Sequence, residues 1–263
     1  MNLISLNGSS FVGQQVGYHV DWSQSVAAAN YYYQPIDTFS VRFEQLLEQV
    51  KSLGFAAIDI WTVGQLNWAW ATSEHHQLAD SLLKQYQIQV TSLGGEFGET
   101  RAEFESACRL ALSVGTSLLS GTLPLLFTDR DFVIQKLQEY QLKLAIENHP
   151  EKHPKEMLAK IGNSADGHIG TAIDTGWYAT QGYDPAQAIF DLRDHLRHIH
   201  LKDVLAGKGH SNCGYGKGIV PIEDCLDALR AIGYTHDISV ENHAIDHDPT
   251  QELRDGLAQL KSR

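Results

Sequence analysis

FSVRFEQLLEQVKSLGFAAIDIW, residues 39–61, holds one complete change of period. Phe39, Phe43, Leu46, Leu47, Val50 and Leu53 recur at helical spacing as one apolar stripe, and Gly54 stands where a helix stops. The chain then passes directly into FAAIDIW, a short apolar run suited to a buried strand. The same alternation continues with a helix over 73–85 and the strand QIQVTSL. Thr100 and Glu103 have capping-box spacing ahead of a helix carrying Phe104, Cys108 and Leu112. SLLSGTL, a helix over 129–140, LKLAIE, a short helix over 155–161 and HIGTAID follow. Asp184 and Pro185 open another helix, with the proline suited to its first turn. RHIHLKD, a helix over 221–232, DISVE and a closing helix with Leu253, Leu257 and Leu260 complete the series. A first strand is expected within 11–19.

About eight strands alternating with about eight helices predict a parallel sheet closed into a (β/α)8 barrel, an α/β TIM barrel forming one domain over residues 1–263. The length suits it, since such barrels take ~250 residues. An open doubly wound sheet is the alternative, but no GxGxxG turn follows the first strand.

Lys and Arg number 20 against 32 Asp and Glu, a net charge of −12. That balance argues against nucleic acid and anionic membrane as partners through bulk charge. Cys108, Cys213 and Cys225 are odd in number and widely spaced, which fits a reducing compartment. With no signal-like opening and no apolar stretch near the ~20 residues of a membrane helix, a cytoplasmic location is expected.

Four of the later strands end on a charge or an imidazole: LAIE on Glu147, TAID on Asp174, HIH on His200 and ISVE on Glu241. In a parallel barrel all strand C-termini emerge on one face, where such barrels keep their active sites. Three carboxylates and one imidazole meeting there repel one another, and a divalent cation resolves the conflict. An oxygen-rich set with one nitrogen suits Mn²⁺, Mg²⁺ or Co²⁺, with Zn²⁺ also admissible. His198 shares strand parity with His200 and reads as a packing residue or a support for it.

His149 lies two positions after Glu147, within reach of a substrate hydroxyl if it does not face solvent. Lys202 either holds a substrate oxygen or pairs with Asp203 or Glu241. Trp61, Trp68, Trp70 and Trp177 lie near strand ends, where aromatic faces stack on sugar C–H surfaces or simply seal a barrel mouth. The glycine-rich stretch GKGHSNCGYGKG, 207–218, reads as a lid, or else as a phosphate cradle with Lys208 or Lys217.

AIENH, AIDTGW, HIHLKD, GYGKGIVPIEDCLDALRAIGY and ISVENH, in this order, resemble the xylose isomerase-like TIM-barrel superfamily, and within it the sugar phosphate isomerase/epimerases grouped with type 2 AP endonuclease-like barrels. The resemblance implies that Glu147, Asp174, His200 and Glu241 hold one Mn²⁺ or similar ion. It also implies that Glu147 and Glu241 act as acid and base on a carbon beside a carbonyl, with the metal as Lewis acid. The chain departs from the family's 3-epimerases by Trp177, where they place a histidine, and by lacking their arginine after the strand-seven histidine.

The expected activity is therefore a metal-dependent isomerase or epimerase of a small, carbohydrate-like carbonyl compound, with homo-oligomers by family analogy. A dehydratase using the same site is the second reading. An abasic-site endonuclease is a third; it needs extra histidine ligands, for which His19, His75 and His76 are the early candidates.

Overall fold

Eight parallel strands close into a ring in a computed structural model that describes residues 2–262. In chain order they are Ile4–Asn7, Ala57–Trp61, Gln89–Glu96, Leu118–Thr122, Lys143–Glu147, Ile169–Asp174, Leu196–Leu201 and Ile238–Val240. Each strand pairs with the strands next to it in sequence, and the eighth returns to the first through Ile4–Ile238 and Leu6–Val240. The alternation of helix and strand periods thus led to the right fold, a (β/α)8 barrel. Helix Ile36–Ser52 buries Phe39, Phe43, Leu46, Leu47 and Val50 in the core between strands and outer helices. The Thr100–Glu103 capping box forms as expected, and Asp184 caps the helix that starts at Pro185. No helix among the described residues is long and apolar enough to cross a membrane.

The first strand lies earlier than expected. Residues 11–19, where it was sought, form short 3-10 turns with positive φ at Gly17, Tyr18 and His19, whereas the strand is Ile4–Asn7. Ile4 and Leu6 alternate with Ser5 and Asn7, but the run is only four residues long and the side chains it sends into the barrel are the polar ones. Those two polar groups have partners waiting: Ser5 donates to Asp237 at 2.7 Å and Asn7 donates to Asp59 at 3.0 Å.

Along the axis of the barrel runs a buried polar chain. His198 lies between Asp237, 3.2 Å from its Nδ1, and Asp59, 3.3 Å from its Nε2, and Asp59 in turn accepts from His200 Nε2 at 2.8 Å. His198, Asp59 and His200 are all essentially removed from solvent. Burial pushes the His198 pKa down, but Asp237 and then Asp59 outweigh it and raise it to about 9. His198 is therefore a charged support for the residues above it.

The segment after the seventh strand is tied to that strand's end. Asp203 accepts from the backbone N–H groups of Val204, Gly216, Gly218 and Val220 at 2.9–3.0 Å. Asp203–Val204 also pairs antiparallel with Asn212–Cys213, and Tyr215 donates to Leu201 O. A Cβ on Gly218 would lie 2.2 Å from Asp203 Oδ1, so only glycine lets the loop close on the carboxylate. Two of the loop's amides, those of Gly216 and Gly218, are thus spent on Asp203, and Lys217 pairs with Glu252 at 3.0 Å.

Two outcomes follow. Asp203→Ala leaves four backbone donors without their acceptor and should cost about 3 kcal/mol in urea denaturation, with faster hydrogen exchange at 216–220. The His198–Asp237 pair stabilises the fold fully below the imidazole's ordinary 6.5, and that stabilisation is lost as pH rises through about 9. Stability of the wild type should therefore decline from pH 6.5 to 9, more steeply than that of Asp237→Asn; equal slopes would contradict the pairing.

Candidate metal and active site

Strand register decides which side chains meet at the mouth. Asp174 is level with His200 across the sixth and seventh strands, and His200 is level with Ser239 across the seventh and eighth. Glu147 ends the fifth strand and Glu241 follows the eighth, its N–H bonded to Leu201 O. All four expected residues consequently reach one face, and all four are buried.

Glu147, His200 and Glu241 each bring a ligand-type atom within 4.8 Å of the others, and Glu147, His149 and Asp174 form a second such trio. His200 Nδ1 lies 2.5 Å from Glu147 Oε1 and 3.2 Å from Glu241 Oε2. Asp174 is drawn instead toward Lys202, whose ammonium sits 2.9 Å from Asp174 Oδ2 and 2.8 Å from Glu241 Oε1. Of the pairings expected for Lys202, the one with Glu241 forms; Asp203 is occupied by the loop.

Three carboxylates thus share the Lys202 ammonium and the imidazoles of His200, His149 and His243. Burial raises the pKa of Asp174, but Lys202 and His149 hold it well below its ordinary value. Burial likewise opposes ionisation of Glu147, which His200 and His149 nevertheless keep low, and of Glu241, held low by Lys202, His200 and His243. His200 is raised well above the usual imidazole range against burial, by Glu147 and Glu241 and by its bond to Asp59. Burial also disfavours the Lys202 charge, but Asp174 and Glu241 raise its pKa.

The donors fit a divalent cation. Asp59 occupies His200 Nε2, which leaves Nδ1 as the nitrogen facing the carboxylates, the arrangement by which a carboxylate orients a metal-binding imidazole. Glu241 Oε2 and His149 Nε2 are buried without a hydrogen bond and face only His200 Nδ1 at 3.2 Å and two carboxylates at 3.6–3.7 Å, so both remain available as ligand atoms. Thiolates are absent from these groups, and hard oxygen donors predominate.

Around this centre lies a cavity of about 390 Å³ lined by Glu147, His149, His200, Glu241, Trp61 and Trp22, among others. Its far wall is bare backbone: Gly94, Gly95 and Gly121 line it, and a Cβ on Gly121 would fall 1.9 Å from Gly95 O. Trp177 takes a place beside His149, with ring centroids 5.0 Å apart, and its backbone N–H donates to Asp174 Oδ1. Trp68 and Trp70 hydrogen-bond to Glu96 O and Asn30, so these two fasten loops. His75 caps a helix with Thr72, and its Nε2 lies 3.1 Å from Gln34 O.

Sequence reasoning missed Asp59, Trp22, His210 and His243. Asp59 was visible as a lone charge inside the apolar run AAIDIW. His243 repeats the tripeptide Glu-Asn-His of 147–149 and lies 2.7 Å from Glu241 Oε1. Trp22 opens the helix Trp22–Tyr33 that follows the 3-10 turns, and no periodicity pointed to its place at the mouth. His210 stacks on Trp177 with centroids 4.2 Å apart; burial, then Lys202, lowers its pKa to about 4 and keeps it neutral.

The chain is similar to the uncharacterized protein YihM of Escherichia coli, at 24% identity over 148 residues. That match covers 51% of this chain and 45% of YihM, so the chain spans less than half the length of this curated relative. Among solved structures, D-allulose 3-epimerase from Methylomonas sp. superposes with a TM-score of 0.71 and 14% identity, over 100% of this chain and 98% of that one. The probable 3-DHS dehydratase AsbF of Bacillus anthracis superposes with a TM-score of 0.67 and 15% identity, over 99% of both chains. At such identities these are likenesses of fold. The sequence carries the relationship further: residues 47–263 match the xylose isomerase-like TIM barrel family, and the chain belongs to it.

Proposed function

We propose that the protein is a divalent-metal-dependent isomerase or epimerase of a small sugar or related polyhydroxylated carbonyl compound. The observation that carries this reading is the meeting of Glu147, His200 and Glu241 within 4.8 Å at the open end of the barrel, with Asp174 bound to the same buried lysine. The epimerase likeness supports it, since D-allulose 3-epimerase shares the fold over the whole chain.

In this reading Glu147, Asp174, His200 and Glu241 hold the ion. Manganese suits the oxygen-rich set, with magnesium, cobalt and zinc as alternatives. When bound, the ion supplies Lewis-acid stabilisation of negative charge developing on a substrate carbonyl. Glu147 and Glu241 approach the 390 Å³ cavity from the fifth and eighth strands, and both are kept ionised despite burial. One carboxylate takes the proton from the carbon beside the carbonyl and the other returns a proton from the opposite side. His149 and His243, each two residues beyond a glutamate, are placed to hold substrate hydroxyls. Trp61 and Trp22, with ring centroids 5.9 Å apart, form an apolar wall for the sugar's C–H face. Lys202 holds Asp174 and Glu241 in place from beneath, and an occupied substrate site needs no contact with it.

The dehydratase AsbF has the same fold, and elimination of a β-hydroxyl begins with the same proton removal. Reaction mixtures of ketoses and keto-inositols with Mn²⁺ in D₂O, followed by NMR, separate the two. Deuterium beside a retained carbonyl is the expected result, and loss of a hydroxyl would identify a lyase. Glu147→Gln and Glu241→Gln should each lower turnover by roughly 10²–10⁴-fold while leaving the circular dichroism spectrum unchanged. Near-wild-type activity in either variant would rule out the two-carboxylate mechanism. Chelation should remove activity and added Mn²⁺ restore it.

A further inference from the structure

A second cavity, of about 600 Å³, opens beside the one over the carboxylates, and Trp22, His149 and His243 line both. Either volume alone is within the ~300–1,000 Å³ of small-molecule sites, so the inner cavity has room for one sugar ring without recourse to the outer. The outer cavity has aromatic walls. Trp177 and His210 stack at 4.2 Å with an interplanar angle of 23°, and Trp22 lies 4.8 Å from His243 across from them.

Polar atoms in these walls lack partners. Both ring nitrogens of His210 and Oδ1 of Asn212 are buried without a hydrogen bond, and Asn212 is only 6% exposed. Unpaired buried polar groups of this kind are costly unless a ligand or water completes them. Flat aromatic faces flanked by a few unpaired donors and acceptors suit a ring bearing hydroxyls or an aromatic ring.

The carboxylates that line the two cavities are Glu96, Glu147 and Glu241 in the inner, beside the charged His200, and Asp246 in the outer. The amides of Gly216 and Gly218 are bound to Asp203, and Lys217 is bound to Glu252. No lysine or arginine is among the described residues that line either cavity, so a phosphate or carboxylate on the substrate would find no such partner in the walls.

We propose that the outer cavity is a subsite for a second, uncharged ring, so that the protein takes an uncharged keto-glycoside: its keto-sugar ring over Glu147, His200 and Glu241, and its aglycone ring in the cavity lined by Trp177, His210 and Trp22. This rests on the sugar-binding reading of the inner cavity, while the test below measures binding and is independent of whether proton transfer occurs.

The test is equilibrium binding to the full chain by calorimetry, with phenyl β-D-glucopyranoside, methyl β-D-glucopyranoside and glucose 6-phosphate as probes. The phenyl glycoside should bind roughly tenfold more tightly than the methyl glycoside, and glucose 6-phosphate more weakly than either. Trp177→Ala and His210→Ala should each bring the phenyl-to-methyl ratio toward one, and using both guards against a folding defect in either. Equal affinity for the two glycosides, no measurable affinity for the phenyl glycoside, an unchanged ratio in both variants, or tightest binding of glucose 6-phosphate would each overturn the proposal. Deuterium exchange decides the proton-transfer reading separately, so failure of one is distinguishable from failure of the other.

Discussion

Burying Glu147, Asp174 and Glu241 at one barrel mouth is tolerable only because His200 and Lys202 are driven in among them. Each carboxylate alone would be pushed toward its neutral form by desolvation, and together they would repel. The arrangement of the neighbourhood follows from meeting that demand. His200 must be oriented, so Asp59 lies behind it; Asp59 is itself buried, so Asn7, His198 and Ser239 donate to it. His198 in turn needs Asp237, and Asp237 takes Ser5. The polar interior of this barrel is thus one connected answer to an electrostatic problem posed at its open end.

Much of this was legible in the sequence. Strand ends that finish on Glu147, Asp174, His200 and Glu241 could be read because parallel strands in a closed ring all deliver their C-termini to one face, whatever the loops do. The helix 36–52 was legible because its apolar stripe has a period that strands cannot share. The first strand was not, because Ser5 and Asn7 satisfy interior carboxylates that lie more than fifty residues away. An alternation rule looks for apolar residues facing inward, and here the inward positions are polar for reasons that appear only once the ring is closed.

The glycine-rich loop shows the converse case. Its composition fits a cradle for anions, since exposed amides without side chains bind phosphate well. What the composition does not disclose is that Asp203, at the loop's own entrance, collects two of those amides, at Gly216 and Gly218. Similarly, Lys202 and the tryptophans could be placed near the mouth but not assigned to a side. Trp68 and Trp70 turned out to fasten loops, whereas Trp61 and Trp177 face cavities, and Trp22 came from a helix with no signal of its own.

The short first strand has a consequence for assembly. Ile4 pairs with Ile238 across nearly the whole length of the sequence, and Asn7 reaches Asp59 while lying 3.1 Å from His200. Contacts so distant along the chain are costly in loop-closure entropy. A chain with seven strands in place would already have its outer helices and most of its hydrophobic core. It would lack either Asn7 and Ser5 or Ser239 and the anchored position of Glu241, depending on which edge strand was missing. Closure of the ring and completion of the polar interior are therefore a single event.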